Sequence, residues 1–233
     1  NRFNCKHYNS SLDPRETTLP QVLQKAGYST ALFGKWHLYD TNLSSLRGKT
    51  REQKIKIKLA DPSTPGNFGF DRLCVSDGFG LGGTFYNAQG DIQSTGEPKR
   101  DGSIRLMEQA TGWMDAQADE KKPFFAYVSF SSPHHPHQPD PSLVKRLKEL
   151  GHPDPGGYES EVFGVDSAVG KLRAFLAKKG LQRNTIVWFL SDNGPDRFAG
   201  STGGLRARKF SMYEGGIRVP SIVEWPEAIA KPR

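Results

Sequence analysis

What constrains this chain most is an order of segments that returns three times: apolar residues at helical spacing, then a short apolar run suited to a strand, then a polar cluster able to do chemistry. In the first copy Leu19, Val22, Leu23 and Ala26 share one helical face, with Thr18 available as a cap, Pro20 in the first turn and Gly27 just past the end. Residues 28–33 then read as a strand that breaks off at Gly34-Lys35-Trp36-His37. In the second copy, residues 103–118 predict a helix and residues 124–130 a buried strand ending in Pro133-His134-His135-Pro136-His137. In the third, Val162, Val165, Val169, Leu172 and Leu176 fall on one face of a helix over residues 159–179. Gly180 closes that helix, and the strand 185–190 runs into Ser191-Asp192-Asn193-Gly194.

Helix followed by buried strand, three times over, predicts an α/β fold with a largely parallel central sheet and helices on both faces. In such sheets ligands bind outside the carboxyl ends of the strands. All three strands end in chemically capable residues, and four of the six histidines sit at two of those ends. The expectation is therefore a single cleft lined by all three ends. Residues 61–102 and 139–157, rich in Gly, Pro, Asp and Asn, read as long loops over that face.

Composition narrows the partners. The chain has 233 residues, enough for one large domain, and no apolar run near the roughly 20 residues of a membrane span. A net charge of +7 attracts anions, whether nucleic acid, a membrane surface or a sulfated glycan. The densest basic stretch, residues 47–58, has no aromatic interleaving and no nucleic-acid module around it. It reads as a solvated loop, with contact to an anionic substrate as the alternative. Cys5 and Cys74 are too few for a disulfide scaffold; they can pair once or stay buried and free. Asn9 and Asn42 fit the glycosylation pattern, and the glycine-rich run 78–83 lacks dinucleotide spacing and reads as a loop.

Asp192 and Asn193 put a carboxylate beside an amide oxygen at a strand end. Such donors suit a hard cation such as calcium or magnesium, although Asp-Asn-Gly is equally a turn sequence. Lys35 and His37, two apart, point to the same side of an extended strand end. The lysine supplies a fixed charge for an anion and the histidine can move a proton near neutral pH; the plainer reading is a surface lysine beside a packed Trp36. His134, His135 and His137 lack the cysteine or HExxH partners of a zinc site, which favours proton transfer or anion contact. Residues 203–220 combine Arg206, Arg208 and Lys209 with Tyr213, Glu214, Gly215 and Gly216. Glycines there admit close backbone approach and a lysine can hold a tetrahedral anion; the alternative is a basic loop turning into a strand over residues 219–224.

Five blocks, in this order, resemble the sulfatase family: LPQVLQKAGYSTALFGKWHL (residues 19–38), GFD (69–71), PFFAYVSFSSPH (123–134), TIVWFLSDNG (185–194) and YEGGIRVPSIVEWP (213–226). The resemblance implies an alkaline-phosphatase-like α/β fold, hydrolysis of sulfate esters, and a calcium or, less often, magnesium site. It implies Asp192 and Asn193 as metal ligands and Lys35 and Lys209 as sulfate-binding residues. His37 would support the nucleophile, and His134 would contact the sulfate or assist the leaving oxygen. Tyr39 stands where the family's first block ends in glycine, which is expected to alter only the following loop.

The family's nucleophile is a formylglycine made from the Cys or Ser of C/S-x-P-x-R, and it precedes the first block together with two acidic metal ligands. Neither Cys5, Cys74 nor Ser63 fits that pattern. Residues 1–233 are therefore expected to be a partial sulfatase catalytic domain, inactive alone, with the N-terminal nucleophile segment and a C-terminal part lying outside them. A phosphate or phosphonate monoester hydrolase of the same fold, and an inactive sulfatase-like binding protein, are the alternatives. The resemblance further implies a small-molecule or glycan sulfate ester as partner in a secreted, periplasmic or lysosomal protein, while the residues themselves argue against nucleic acid as a partner and against a membrane span.

Overall fold

The computed structural model describes residues 11–39, 46–77, 84–93, 101–229 and 231. Cys5, Asn9, Asn42 and the run 78–83 lie outside the described residues. The chain forms two compact units, Asn1–Ala168 and Val169–Arg233.

The first unit is built on a five-stranded sheet with the order β4-β3-β2-β1-β5. Its strands are β1 (Ser29–Gly34), β2 (Arg72–Asp77), β3 (Thr84–Tyr86), β4 (Ile92–Gln93) and β5 (Phe124–Ser129). β1 pairs in parallel with both β2 and β5, while β3 and β4 extend the far edge antiparallel. This is the mostly parallel central sheet expected for the α/β class. α1 (Leu19–Lys25) and α3 (Gly102–Asp119) pack on β1, and α3 also on β5, burying Leu106, Met107, Ala110 and Met114. Of the three expected buried strands only β1 is buried along its length, because it alone has a strand on each side and helices over it. β5, at the sheet edge, is half-buried, with Tyr127 exposed.

The GFD block is a joint between α1, β1 and β2. Gly69, at φ +85°, lies where a Cβ would sit 2.6 Å from the Gln21 backbone nitrogen, so the first turn of α1 can rest on it. Thr18 Oγ1 donates to Phe68 O (2.7 Å), and Thr30 Oγ1 donates to Gly69 O (2.7 Å). Asp71 accepts from the Thr30 backbone (3.1 Å) and from the Gln24 amide. The carboxylate is thus spent on architecture.

Three expectations are corrected. The basic stretch is not a loop: α2 (Arg51–Ala60) forms there, capped by Thr50, which accepts from Gln53 N (3.3 Å) while Gln53 accepts from Thr50 N (2.9 Å), and anchored by the buried Ile55. One inward apolar side chain and a capping box outweigh the run of like charges. The expected loops also carry structure: residues 61–102 supply β2, β3 and β4, and residues 139–157 supply α4 (Pro141–Glu149), capped by Asp140. Finally, α5 (Gly157–Lys178) buries Val165 and Leu176 of the expected face and half-buries Val169 and Leu172, but its inward face is shifted at the start of the helix. Val162 is exposed, whereas Glu161, Val165 and Ala168 are buried, because the Glu161 carboxylate finds hydrogen-bond donors inside.

The second unit holds the end of α5, β6 (Val187–Leu190), α6 (Glu214–Ile217) and β7 (Ser221–Glu224). β6 pairs antiparallel with β7 in a two-stranded sheet of its own, so Trp188, Leu190 and Ile222 stay exposed rather than forming a buried strand. Arg173 of α5 grips Glu224 of β7 through two bonds, Nε–Oε2 at 2.8 Å and Nη2–Oε1 at 3.2 Å.

Candidate active site

Lys35 stands where it does because of Gly34. The β1 backbone passes so close to β5 that a Cβ on Gly34 would overlap Ser129 O and sit 2.8 Å from Leu106 Cδ2, and the residue takes φ +102°. Lys35 N then donates to Ser129 O at 2.8 Å, fixing the first residue past β1 to the end of β5. Trp36 turns inward: its Nε1 donates to Ser63 O (2.8 Å), and its ring meets Phe70 edge-on. Lys35, half-buried, and His37, exposed, flank it. Tyr39 places its hydroxyl 2.8 Å from that of the buried Tyr86 on β3, so the residue standing for glycine ties the departing chain to the sheet.

Since β1 and β5 are parallel neighbours, the segment carrying His134 leaves the sheet at the same end as Lys35. His134 N donates to Ser131 O (3.0 Å). The Nδ1 of His134 lies 2.6 Å from His135 O; a carbonyl only accepts, so Nδ1 carries the proton and Nε2 is the basic nitrogen of the neutral ring. The rings of His134 and His135 stack at 4.8 Å. His137 turns back instead, its Nε2 3.2 Å from Pro133 O and its ring edge-on to Tyr158. Of the three histidines it is a brace for the loop.

In the second unit the Asp-Asn-Gly turn and the Glu-Gly-Gly turn lock together. Gly194 N donates to Gly216 O (2.9 Å), Gly215 N donates to Arg206 O (2.9 Å), and Lys209 N donates to Pro195 O (3.0 Å). A Cβ on Gly194 would come 2.9 Å from Gly215 C, and one on Gly215 would come 2.6 Å from Arg206 O; only glycine permits this approach. Lys209, half-buried, is thereby held beside the turn bearing Asp192 and Asn193. Arg208 is spent on the backbone, donating to Asp196 O (2.8 Å), and Arg206 lies 3.6 Å from the Tyr213 ring centroid. Asp192 is exposed, and Asn193 Nδ2 donates to its Oδ1 (2.9 Å).

Asp192 and Asn193 offer oxygen donors of the kind calcium or magnesium takes, but only two of the roughly six to eight calcium requires. Among the described residues no group of three or more His, Cys, Asp or Glu could hold a metal ion. The donors fit such an ion in kind and not in number. In the first unit Lys35 and His37 follow β1, and His134 lies on the segment that follows β5, its parallel neighbour; in the second, Asp192 and Asn193 precede the Gly194 that bonds Gly216, and Lys209 bonds Pro195. Glu161, Asp101 and Asp140 went unread in the sequence. The last two precede helices as Asp caps do, whereas a glutamate on an otherwise apolar helix face carries no signal.

The sulfatase family model matches residues 1–233. The chain belongs to the sulfatase family. It is 31% identical over 220 residues to the uncharacterized sulfatase YdeN of Escherichia coli strain K12, a match covering 90% of this chain and 39% of that protein. It is 30% identical over 233 residues to arylsulfatase A of Homo sapiens, covering 92% of this chain and 43% of that one. The crystal structure of Ps i-CgsB in complex with k-i-k-neocarrahexaose superimposes with a TM-score of 0.68 at 25% identity, covering 95% of this chain and 50% of that chain. The sulfatase chain described here thus spans about two fifths of the length of the curated relatives it matches. No helix among the described residues is long and apolar enough to cross a membrane.

Proposed function

We propose that in the full-length protein this sulfatase chain contributes substrate-anion residues to the hydrolysis of sulfate esters, Lys35, His37 and His134 from the first unit and Asp192, Asn193 and Lys209 from the second. The observation that carries the reading is the junction of β1 and β5. The Lys35 N–H bond to Ser129 O fixes the backbone of a cationic residue to the end of the strand whose next segment bears a histidine with its Nδ1 already engaged. A cation paired with an oriented proton carrier suits cleavage of a charged ester whose leaving oxygen needs a proton.

Lys35 and Lys209 hold the sulfuryl oxygens and draw off the charge that builds on them as the sulfur–oxygen ester bond breaks. Protonated His134 gives its Nε2 proton to the departing alcohol oxygen, and His37 holds the nucleophilic side of the site in place. Asp192 and Asn193 would serve as two ligands of a calcium or magnesium ion, and a formylglycine outside these residues would supply the nucleophile; bound together they furnish charge neutralisation and the attacking oxygen. Membership of the sulfatase family supports sulfate over phosphate, and an oligosaccharide bound to a structural neighbour supports a glycan sulfate as the substrate class. A secreted, periplasmic or lysosomal setting, where sulfated glycans are met, follows from that class.

The test is turnover of an aryl sulfate and the matching aryl phosphate by the full-length protein. Sulfate is expected to be hydrolysed at least about a hundredfold faster, and Asp192→Ala is expected to abolish metal-dependent turnover with the far-ultraviolet circular dichroism unchanged. Preference for the phosphate would make the protein a phosphate monoester hydrolase, and full activity of Asp192→Ala with unchanged metal content would remove that ligand.

A further inference from the structure

We propose that Glu161 is a positioning residue for His134: from α5, its buried carboxylate clamps both ends of the segment between Ser132 and Gln138 that carries the histidine. The inference rests on the reading of His134 as the group that protonates the leaving alcohol.

Glu161 is 2% exposed, among the most deeply buried charged side chains described. Its Oε1 accepts from Gln138 N at 2.7 Å, and the Ser132 hydroxyl donates to the same carboxylate. One side chain therefore holds the residue before Pro133 and the residue after His137. Inside that frame Ser131 O holds His134 N, Pro133 O faces His137 Nε2, and His135 O holds His134 Nδ1. The histidine ring is thus referenced to backbone atoms that are themselves referenced to Glu161.

The helix face is shaped for this. Gly157, four residues before Glu161, lies where a Cβ would come 2.8 Å from His137 Cβ, and Gly164, three residues after, lies where a Cβ would come 2.5 Å from the Asp101 carboxylate. Small residues on either side let α5 approach the loop closely enough for a glutamate to reach two donors across it. Burial pushes the Glu161 pKa up, the Gln138, Ser132 and His137 contacts pull it down, and the Asp101 charge, which caps α3, pushes it up again. An apolar side chain would fill this place without that cost, but it would leave Gln138 N–H without its acceptor and the loop unfastened.

The experiment compares Glu161→Ala, Glu161→Gln and Ser132→Ala in the full-length protein. Amide hydrogen exchange at Gln138 should speed up at least tenfold in Glu161→Ala and stay near the parent rate in Glu161→Gln, whose amide oxygen still accepts. The kcat for an alkyl sulfate, whose poor leaving group needs its proton, should fall about a hundredfold in Glu161→Ala, and that for 4-nitrophenyl sulfate less than about threefold, with KM unchanged. Glu161→Gln should restore both, and Ser132→Ala, which removes one anchor from the loop side, should show the same selectivity loss at smaller size. Unchanged Gln138 exchange in Glu161→Ala overturns the clamp. A lost clamp with equal loss on both substrates overturns the positioning role. Should His134→Ala itself show no dependence on the leaving group, the assignment of the acid fails along with the positioning role, while the exchange data still decide the clamp. If Glu161→Ala does not fold, the Ser132→Ala arm carries the same two tests.

Discussion

Replacing Gly34 by alanine should cost far more than replacing Gly27, although both glycines end a short element at positive φ. Gly27 has φ +86° with nothing within 4 Å of the place a methyl group would take, so Gly27→Ala meets only the backbone preference of an L-residue, about 1–2 kcal/mol. Gly34 has φ +102° and carries the same penalty, but its methyl would also overlap Ser129 O and press on Leu106 Cδ2 at 2.8 Å. Ser129 O belongs to the backbone of β5 and cannot swing aside, so the two strands must part where Lys35 N bonds that oxygen at 2.8 Å. Losing this bond costs about 1 kcal/mol, and overpacking a closed contact costs about 1–3 kcal/mol. Gly34→Ala should therefore be about 2–4 kcal/mol less stable than Gly27→Ala. Urea unfolding followed by hydrogen exchange at the amides of β1 measures this without relying on the second unit, and the Lys35 amide should lose most of its protection. Equal stabilities for the two variants, or a Lys35 amide as protected as in the parent, would show that β1 and β5 are not joined as described and that Lys35 is not placed by this contact.

Two more outcomes follow from buried titratable groups. Burial pushes the Cys74 thiol up to about 12, so at pH 8 only about one molecule in ten thousand carries the reactive thiolate; iodoacetamide should label Cys74 in urea within minutes and leave it unlabelled in the folded protein over hours, and rapid native labelling by peptide mapping would contradict the burial. Glu161 has its pKa raised chiefly by burial, so the unfolded chain releases this proton first as pH rises and the folded state loses stability from the ordinary glutamate value up to the raised one, with no further change beyond it. Glu161→Gln lacks that loss, so its melting temperature should gain on the parent across that window; Asp101, shifted the same way by burial, is common to both proteins. A constant difference from pH 4 to pH 8 would mean that Glu161 does not titrate differently on folding.

The sequence alone determined the elements whose signals are local. Periodicity and caps place α1, α3 and α5 within a residue or two of their observed ends, and the apolar runs place β1, β5, β6 and β7. The polar clusters were legible because strand ends and glycine turns are written in consecutive residues: Lys35 follows Gly34, and Asp192 and Asn193 precede Gly194. Pairing is not local. Whether an apolar run lies in the middle of a sheet or at its edge depends on which other strands find it, so β1 and β5 look alike in sequence and differ in burial. The short strands β2 to β4 lack a periodic pattern long enough to stand out from Gly- and Asp-rich surroundings, and they exist because β1 offers β2 an edge. α2 depends on one buried isoleucine, which a run of basic residues conceals. Glu161 marks the limit most clearly. A carboxylate can be buried only where donors converge on it, and those donors, Ser132 and Gln138, come from another part of the chain that tertiary packing alone brings within reach.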